Sequence, residues 1–165
     1  TKPFESATKL LLCPGAAQIY YGDETNRSLD IPGAEGDATL RSFMNWDELA
    51  ANTTRNGHRT QDVLAHWQKL GRFRQAHPAV GAGVHTMLSE KPYVFQRKYT
   101  GASGYTDTVV VGLDLPKGEK RIPVAGAFPD GAVLRDAYSG KKTRVKNGQA
   151  MLQTGFDLVL LERAE

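Results

Sequence analysis

Hydrophobic residues change their spacing along the chain near residue 80. Before that point they recur at helical intervals in two segments, which predicts helices over Glu5 to Cys13 and over Gln61 to His77. Pro14-Gly15 ends the first helix and precedes Ala17 to Tyr21, a short apolar run that predicts a buried strand. A helix, a tight turn and a buried strand together are typical of an α/β unit.

Beyond residue 80 the pattern alternates, and turn signals recur at short intervals. Pro129-Asp130-Gly131, Ser139-Gly140 and Asn147-Gly148 each predict a turn. Several short strands separated by such turns predict an antiparallel β-sandwich. The predicted strands are Tyr93 to Phe95, Thr108 to Leu115, Val133 to Tyr138, Ala150 to Gln153 and Phe156 to Glu162.

The first part of the chain is too small to be a complete α/β domain. Residues 1–79 offer about two helices and one strand, yet a buried parallel strand needs a neighbour on each edge. The long connection from Thr25 to Arg59 carries an island of bulky residues, which predicts an ordered loop. We therefore expect residues 1–79 to be a piece of a larger domain and residues 80–165 to form the β-sandwich.

Composition narrows the range of partners. Hydrophobic residues make up 40% and charged residues 24% of the 165 positions, an ordinary globular balance. The net charge of +3 is too small to argue for nucleic acid, and the basic run Lys141 to Lys146 is typical of a lysine-protected edge strand. No apolar run approaches the roughly 20 residues of a membrane helix. We therefore expect neither nucleic acid nor a membrane as a partner.

Cysteine and histidine give no sign of redox or metal chemistry. Cys13 is the only cysteine, so no internal disulfide can form, and the preceding Leu10 to Leu12 predict a buried, unreactive thiol. The four histidines show none of the short spacings that hold zinc. We expect no metal site and no cofactor in this chain.

Three segments, in chain order, resemble landmarks of the α-amylase family of glycoside hydrolases. Pro14 to Glu24, which reads Pro-Gly-Ala-Ala-Gln-Ile-Tyr-Tyr-Gly-Asp-Glu, resembles the eighth strand of that family's barrel. Arg41 to Asp47 resembles its Arg-x-x-Met-x-Trp landmark, and Leu70 to Val80 resembles the end of its eighth helix. The tail resembles the family's antiparallel C-terminal domain, and bacterial exported α-amylases are the most similar subtype.

The resemblance implies a fold and an activity for a longer protein that carries this chain, here called the parent. Residues 1–79 would be the last segment of a catalytic (β/α)8 barrel, and residues 80–165 the C-terminal β-sandwich. The parent would hydrolyse α-1,4-glucosidic bonds in starch-like glucans with retention, and it would be secreted or periplasmic. An α-amylase, an α-glucosidase and a transglycosylase all remain open.

The same resemblance places the catalysis outside this chain. The family's three catalytic carboxylates follow barrel strands four, five and seven, so they would lie upstream of Thr1. We therefore expect no catalytic residue here and no glycosidase activity from the chain alone. Any calcium of the parent would bind mainly upstream. The expected partners are an α-glucan or maltooligosaccharide, through the parent, and an N-terminal barrel fragment.

Four residues of the chain are candidates for substrate binding: Tyr21, Asp23, Arg41 and Trp46. Barrel active sites lie at the C-terminal ends of the strands, where Tyr21 could stack on a sugar ring and Asp23 could accept hydroxyl hydrogen bonds. Asp23 and Glu24 should point to opposite faces of a strand end, so we do not expect a catalytic pair. A solvated turn is the alternative for these two carboxylates.

Arg41 and Trp46 also have two interpretations. They could form a wall of the cleft, or they could clamp the long loop to the barrel, with Arg41 paired to an acidic group such as Glu24. We favour the clamp.

A different function class remains open for residues 80–165. A non-catalytic carbohydrate-binding module would need exposed aromatic residues on one face. The candidates are Tyr93, Tyr99, Tyr105 and Tyr138. The alternative is a domain that only packs on the barrel and stabilises it, which we favour.

Overall fold

The computed structural model describes residues 2–164, which form two compact units. The first unit comprises residues 2–12 and Ala16–Gly71, and the second comprises Cys13–Gly15 and residues 72–164. No helix within residues 2–164 is long and apolar enough to cross a membrane.

The first unit is built mainly from helices. Its core consists of apolar residues that the helical spacing placed on one face, and Ala7, Val63 and Leu70 are completely buried. The buried His66 ring lies 3.0 Å from both the Thr8 hydroxyl and the Phe4 carbonyl, which links the two main helices. The elements are α1 (Pro3–Leu12), α2 (Trp46–Ala50), α3 (Thr60–Ala76, of which residues 72–76 belong to the second unit), 3₁₀ helices at Asp23–Thr25 and Gly36–Leu40, and a two-stranded ribbon of β1 (Thr54–Arg55) and β2 (His58–Arg59).

Both predicted helices are confirmed. The first begins two residues earlier and ends one residue earlier than the sequence predicted, and the second is displaced by one residue at each end. The short helix α4 (Pro78–Ala82) follows in the second unit, with Pro78 in its first turn, where a missing N–H is tolerated.

The predicted strand from Ala17 to Tyr21 is wrong as a description of this chain. Residues 16–20 adopt no regular secondary structure, and Ile19, Tyr20 and Tyr21 keep 46%, 41% and 41% of their surface exposed. A strand exists only where a neighbour completes its hydrogen-bond ladder, and no described residue pairs with this segment. The segment therefore has the composition of a buried strand, but residues 2–164 do not bury it.

The second unit is antiparallel β structure, as the alternating pattern predicted. Its larger sheet has the strand order β3-β4-β5-β10-β7-β8, and its smaller sheet pairs β6 with β9. One core of buried residues drawn from both sheets includes Val94, Val110, Ile122 and Leu152. The strands are β3 (Val84–Ser89), β4 (Tyr93–Thr100), β5 (Thr106–Leu113), β6 (Gly118–Pro123), β7 (Val133–Asp136), β8 (Lys142–Arg144), β9 (Gln149–Thr154) and β10 (Val159–Arg163).

Three strands of the second unit were not predicted, namely β3, β6 and β8. Strand β6 carries Glu119, Lys120 and Arg121, a charge pattern that hides its pairing with β9. Lys120 is nevertheless buried, because its ammonium group donates hydrogen bonds to the carbonyls of Gly118 and Thr154. Strand β8 pairs only with β7, so the basic run does contain an edge strand, as predicted.

The prediction of a buried thiol is also wrong. Cys13 lies just beyond the last residue of α1, and its side chain is exposed. The apolar residues before it, Leu11 and Leu12, are buried in the helix, and the chain turns away from the helical pattern at Cys13. Hydrophobic neighbours in sequence therefore did not indicate burial at this position.

Candidate functional site

An open groove in the first unit, here called the large groove, has a volume of about 820 Å³. It is bounded by α1 and by the polar loop that follows residue 21. Of the four predicted substrate-binding residues, Asp23 alone lines it. Its main lining residues are Lys2, Leu10, Asp23, Arg27, Arg55 and Trp67.

Arg27 organises the loop beside this groove. Its side chain is 7% exposed, and its guanidinium donates hydrogen bonds to the carbonyls of Tyr21 (2.9 and 3.2 Å), Ser42 (3.0 Å) and Leu40 (3.2 Å). It also donates to the Ser42 hydroxyl. A planar group with several fixed donors can bind several carbonyl groups at once. Arg27 therefore fixes two distant parts of the loop to each other.

The hydroxyl and one ring face of Tyr21 take part in the same arrangement. Its hydroxyl donates a 3.0 Å hydrogen bond to the Ser42 carbonyl, and the Arg27 guanidinium carbon lies 4.2 Å from its ring centroid. One face of the ring is therefore occupied by a cation, which is a favourable cation–π geometry. Sugar stacking on Tyr21 would be confined to the other face.

Asp23 and Glu24 do not end a strand, which corrects the geometry expected for them. They lie in the 3₁₀ helix Asp23–Thr25, where Glu24 Oε2 accepts a 2.9 Å hydrogen bond from the Gly22 N–H. Burial raises the pKa of the Asp23 carboxyl, and the charge of Glu24 adds to that increase while Arg27 opposes it. The two carboxylates thus have different tasks: Glu24 binds the local backbone, and Asp23 faces the groove.

The expected pairing of Arg41 with Glu24 is also wrong. Arg41 is exposed, and no ion pair joins it to an acidic residue within residues 2–164. Arg27 performs the clamping that was expected of Arg41. Little in the sequence indicated this role of Arg27, because Arg27 lies in a polar loop with no periodic pattern, whereas Arg41 stands in a recognisable motif.

Trp46 lies away from the large groove, at the first residue of α2. It is 64% exposed and lines a smaller pocket of about 270 Å³ together with Phe43, which is 97% exposed. Arg27 lines both cavities, whereas Arg41 lines neither. The structure thus separates the four predicted residues: Asp23 faces one cavity, Trp46 the other, Tyr21 packs on Arg27, and Arg41 stands apart.

Trp67, on helix α3, was not among the predicted site residues. Its ring is 5% exposed and lines the large groove, and its buried indole N–H has no hydrogen-bond partner within residues 2–164. Buried polar groups in folded proteins are nearly always paired. This donor therefore marks a place where the first unit lacks an acceptor.

The aromatic candidates of the second unit do not form one platform. Tyr138 is buried, which corrects its expected exposure, and this burial raises the pKa of its hydroxyl to about 12. The Tyr93 hydroxyl and His85 Nε2 form a hydrogen bond of 3.0 Å. The ring centroids of Tyr99 and Tyr105 lie 6.4 Å apart. Of these four tyrosines, Tyr99 and Tyr105 are the pair whose rings contact each other.

The second unit also contains a buried ionic cluster around His77. Its Nδ1 lies 2.8 Å from Asp107 Oδ1, and its Nε2 lies 2.6 Å from Glu162 Oε2. Asp107 also accepts a hydrogen bond from the Ala79 N–H, and Glu162 accepts one from Arg135. The cluster joins the segment after α3 to strands β5 and β10.

Within residues 2–164, no group of three or more His, Cys, Asp or Glu side chains is arranged to hold a metal ion.

Comparison with known proteins gives one curated relative and many similar structures. No protein-family model matches the chain. The periplasmic α-amylase of Escherichia coli (strain K12) is 40% identical over 96 residues, which are 58% of this chain and 13% of that protein. The chain is similar to the C-terminal part of α-amylases. The resemblance drawn from the three sequence segments is thereby confirmed.

The similar structures agree with this placement at the level of the fold. An α-amylase of Geobacillus thermoleovorans, solved with acarbose, matches with a TM-score of 0.64 at 17% identity and covers 99% of this chain and 33% of its own. An Anoxybacillus α-amylase gives 0.60 at 21% identity, covering 99% and 32%. AmyP, solved with maltose, gives 0.61 at 16% identity, covering 98% and 34%. The chain therefore spans about a third of each solved structure.

Proposed function

We propose that this chain is a non-catalytic C-terminal part of a glycoside hydrolase that cleaves α-1,4-glucans. The observation that carries the proposal is the 40% identity with a periplasmic α-amylase over 96 residues. The substrate class follows from solved relatives of the same fold that were crystallised with acarbose or maltose. By the same relationship, the parent is secreted or periplasmic.

The chemistry proposed for the parent is hydrolysis with retention. Such enzymes use two carboxyl groups roughly 5–5.5 Å apart, one as nucleophile and one as acid and base. The adjacent pair in this chain is unsuited to these roles, because Glu24 is bound to the Gly22 N–H. We therefore place the catalytic carboxylates, and any calcium, in parts of the parent outside these residues.

The first unit is proposed to complete the catalytic barrel, with residues 1–79 as its last segment and residues 80–165 as the C-terminal domain. Two features of the unit support this. Residues 16–19 make no backbone hydrogen bond within residues 2–164, although their sequence favours a strand. The buried indole N–H of Trp67 also lacks an acceptor. Neighbouring strands of the parent would satisfy both needs.

Amide hydrogen exchange tests the barrel proposal. The amides of residues 16–19 should exchange quickly in this chain alone, because they are unpaired, and much more slowly in the parent. The amides of Val109 and Val110 in strand β5 serve as an internal control and should be protected in both proteins. Equal exchange of residues 16–19 in the two proteins would show that no strand forms there.

The activity is tested on the parent with maltoheptaose. Nuclear magnetic resonance spectra recorded immediately after mixing should show release of products in the α-anomeric form, since retention preserves the configuration of an α-linkage. Initial release of the β-anomer would contradict the retaining mechanism. Absence of hydrolysis of any α-1,4-glucan would contradict the proposed function itself.

A further inference from the structure

The chain contains two Asn-Gly pairs, and each forms the two-residue loop of a hairpin. Asn56-Gly57 joins β1 to β2, and Asn147-Gly148 is closed by two backbone hydrogen bonds of 3.0 Å between Lys146 and Gln149. Asn-Gly favours such loops because both of its residues tolerate positive φ. The φ values are 50° and 79° in the first loop and 51° and 68° in the second. The two loops therefore have closely similar backbones.

Asn-Gly pairs are also where asparagine loses its amide group most readily. The glycine nitrogen attacks the side-chain carbonyl carbon of the asparagine and closes a five-membered succinimide ring. The bond from that carbon to the amide nitrogen breaks, and the amide takes up the proton of the glycine nitrogen and leaves as ammonia. Water then opens the ring to aspartate or isoaspartate. Glycine permits the attack because it has no Cβ to obstruct it.

At Asn147 the attacking nitrogen is occupied. Asp130 Oδ1 accepts a 2.7 Å hydrogen bond from the Gly148 N–H, and Asp130 Oδ2 accepts a 2.8 Å bond from the Asn147 N–H. A carboxylate that accepts from an N–H disfavours removal of its proton. The Gly148 carbonyl also accepts a 2.9 Å hydrogen bond from the Val124 N–H. This loop is therefore fixed on both sides of the nitrogen that would have to attack.

At Asn56 the corresponding nitrogen is free. The Gly57 N–H and the Asn56 side chain form no hydrogen bond to any residue in the range 2–164. Both residues are exposed, and beyond the chain neighbours of Gly57 no described atom lies within 4 Å of the position that its Cβ would take. The flanking strands have only two residues each. Little therefore opposes the rotation that brings the nitrogen to the side-chain carbon.

We propose that Asn56 is a site of spontaneous deamidation, which water converts to aspartate and isoaspartate, and that Asp130 protects Asn147 from the same reaction. The reaction consumes one water, releases one ammonia and needs no other reactant. Asn56 lines the large groove together with Arg27 and Arg55. The product carboxylate therefore adds one negative charge to the wall of that groove. The inference is independent of the proposed function, because it concerns only the chemistry of the two loops.

Peptide mapping by mass spectrometry tests the proposal on the unmodified chain. After incubation in mildly alkaline buffer, the peptide with Asn56 should accumulate aspartate and isoaspartate, and the peptide with Asn147 should do so much more slowly. We expect a difference of about tenfold or more, because two charge-assisted hydrogen bonds must open before Gly148 can attack. Both sites are measured in the same sample, so Asn147 is the internal control.

The unfolded chain shows whether the difference comes from the structure. In guanidinium chloride the hydrogen bonds to Asp130 are absent, and both pairs are Asn-Gly preceded by a basic residue, Arg55 or Lys146. The two rates should therefore approach each other. The rate at Asn56 should remain close to its value in the folded chain, since this loop is unprotected there, and the rate at Asn147 should rise.

Two aspartate variants attribute the protection to one carboxylate. Asp130→Ala should accelerate deamidation at Asn147 roughly tenfold and leave Asn56 unchanged, because only the second loop loses acceptors. Asp157→Ala is the control, since Asp157 is an exposed carboxylate of the same unit that forms no hydrogen bond to either loop, and it should change neither rate. Circular dichroism verifies the fold, and the comparison of the folded and unfolded chain decides the matter without any variant.

The opposite results overturn the inference. Equal rates at the two loops of the folded chain, or a faster rate at Asn147, would show that the structure does not select Asn56. A rate at Asn56 that is far lower in the folded than in the unfolded chain would show that the ribbon protects it. A difference that persists in guanidinium chloride would assign the selection to the local sequence. An unchanged rate at Asn147 in folded Asp130→Ala would exclude Asp130 as the protecting group.

Discussion

The Arg27 guanidinium stacks on the Tyr21 ring at 4.2 Å and donates two hydrogen bonds to the carbonyl of the same residue. Its remaining donors bind the loop near Ser42. One buried cation therefore positions both the segment that enters the large groove and the segment that carries the exposed Phe43 and Trp46.

Replacing Arg27 should therefore destabilise the chain strongly. Arg27→Met should lower the free energy of unfolding by about 3 kcal/mol, because buried carbonyl oxygens lose charged donors and gain no others. Arg41→Met is the matched control, and we expect a change within about 0.5 kcal/mol because Arg41 is exposed. Urea unfolding of both variants measures the difference. Equal effects would show that Arg27 is not the clamp.

Gly22 tests the same contact from the opposite side. It has φ +90°, and a Cβ at this position would overlap the Arg27 side chain, lying 2.6 Å from Cδ. Gly33 has φ +77° and open space around its Cβ position, so it shares the backbone requirement without the overlap. Gly22→Ala should cost about 2 kcal/mol more than Gly33→Ala, since crowding adds to the shared strain. Thermal or urea unfolding yields this difference, and equal costs would count against close packing at Arg27.

The raised pKa of the Tyr138 hydroxyl predicts a loss of stability in alkaline solution. Burial raises the pKa of its hydroxyl from 10.0 to about 12 in the folded chain. The folded state holds this proton more tightly, so the stabilisation is complete below pH 10 and is lost as the pH rises toward 12. Urea unfolding at several pH values should show this decline, and Tyr138→Phe should reduce it. An identical decline in the variant would exclude Tyr138 as the cause.

Because His77 lies at the centre of the ionic cluster in the second unit, we expect the free energy of unfolding to be sensitive to its substitution. His77→Ala should lower the free energy of unfolding by about 3 kcal/mol, because it leaves the nearly buried carboxylates of Asp107 and Glu162 without their shared partner. Retention of one hydrogen bond should make His77→Gln milder. The half-buried His58 lies outside the cluster, and His58→Ala provides the comparison by urea unfolding. A cost no larger than that of the comparison would contradict the cluster's role.

Local patterns predicted a large part of this fold. The helices α1 and α3 follow from apolar residues at helical spacing, and strands β4, β5, β7, β9 and β10 follow from alternation between turn signals. The three motif segments also identified the family resemblance. These features depend on neighbours within a few residues, so a single sequence contains them.

The errors arose where a structure depends on distant partners. The apolar segment at residues 17–21 has the composition of a buried strand, but no residue within 2–164 pairs with it. Arg27 acquires its role from carbonyls 6 to 15 residues away, and no periodicity records such contacts. Tyr138 is buried in the folded chain. The alternation of apolar and polar residues alone did not show that its side chain points to the buried face of the sheet. The candidate site was therefore predicted in part, with Asp23 and Trp46 in different cavities.

The central claim is that this chain belongs to the non-catalytic part of an α-glucan hydrolase. The measurement that tests it most directly compares the reducing ends released from soluble starch by this chain alone and by the parent. We predict steady release by the parent and none above the blank by the chain, at equal molar concentration. Turnover by the chain alone, or a parent that does not release reducing ends from starch, would contradict the account.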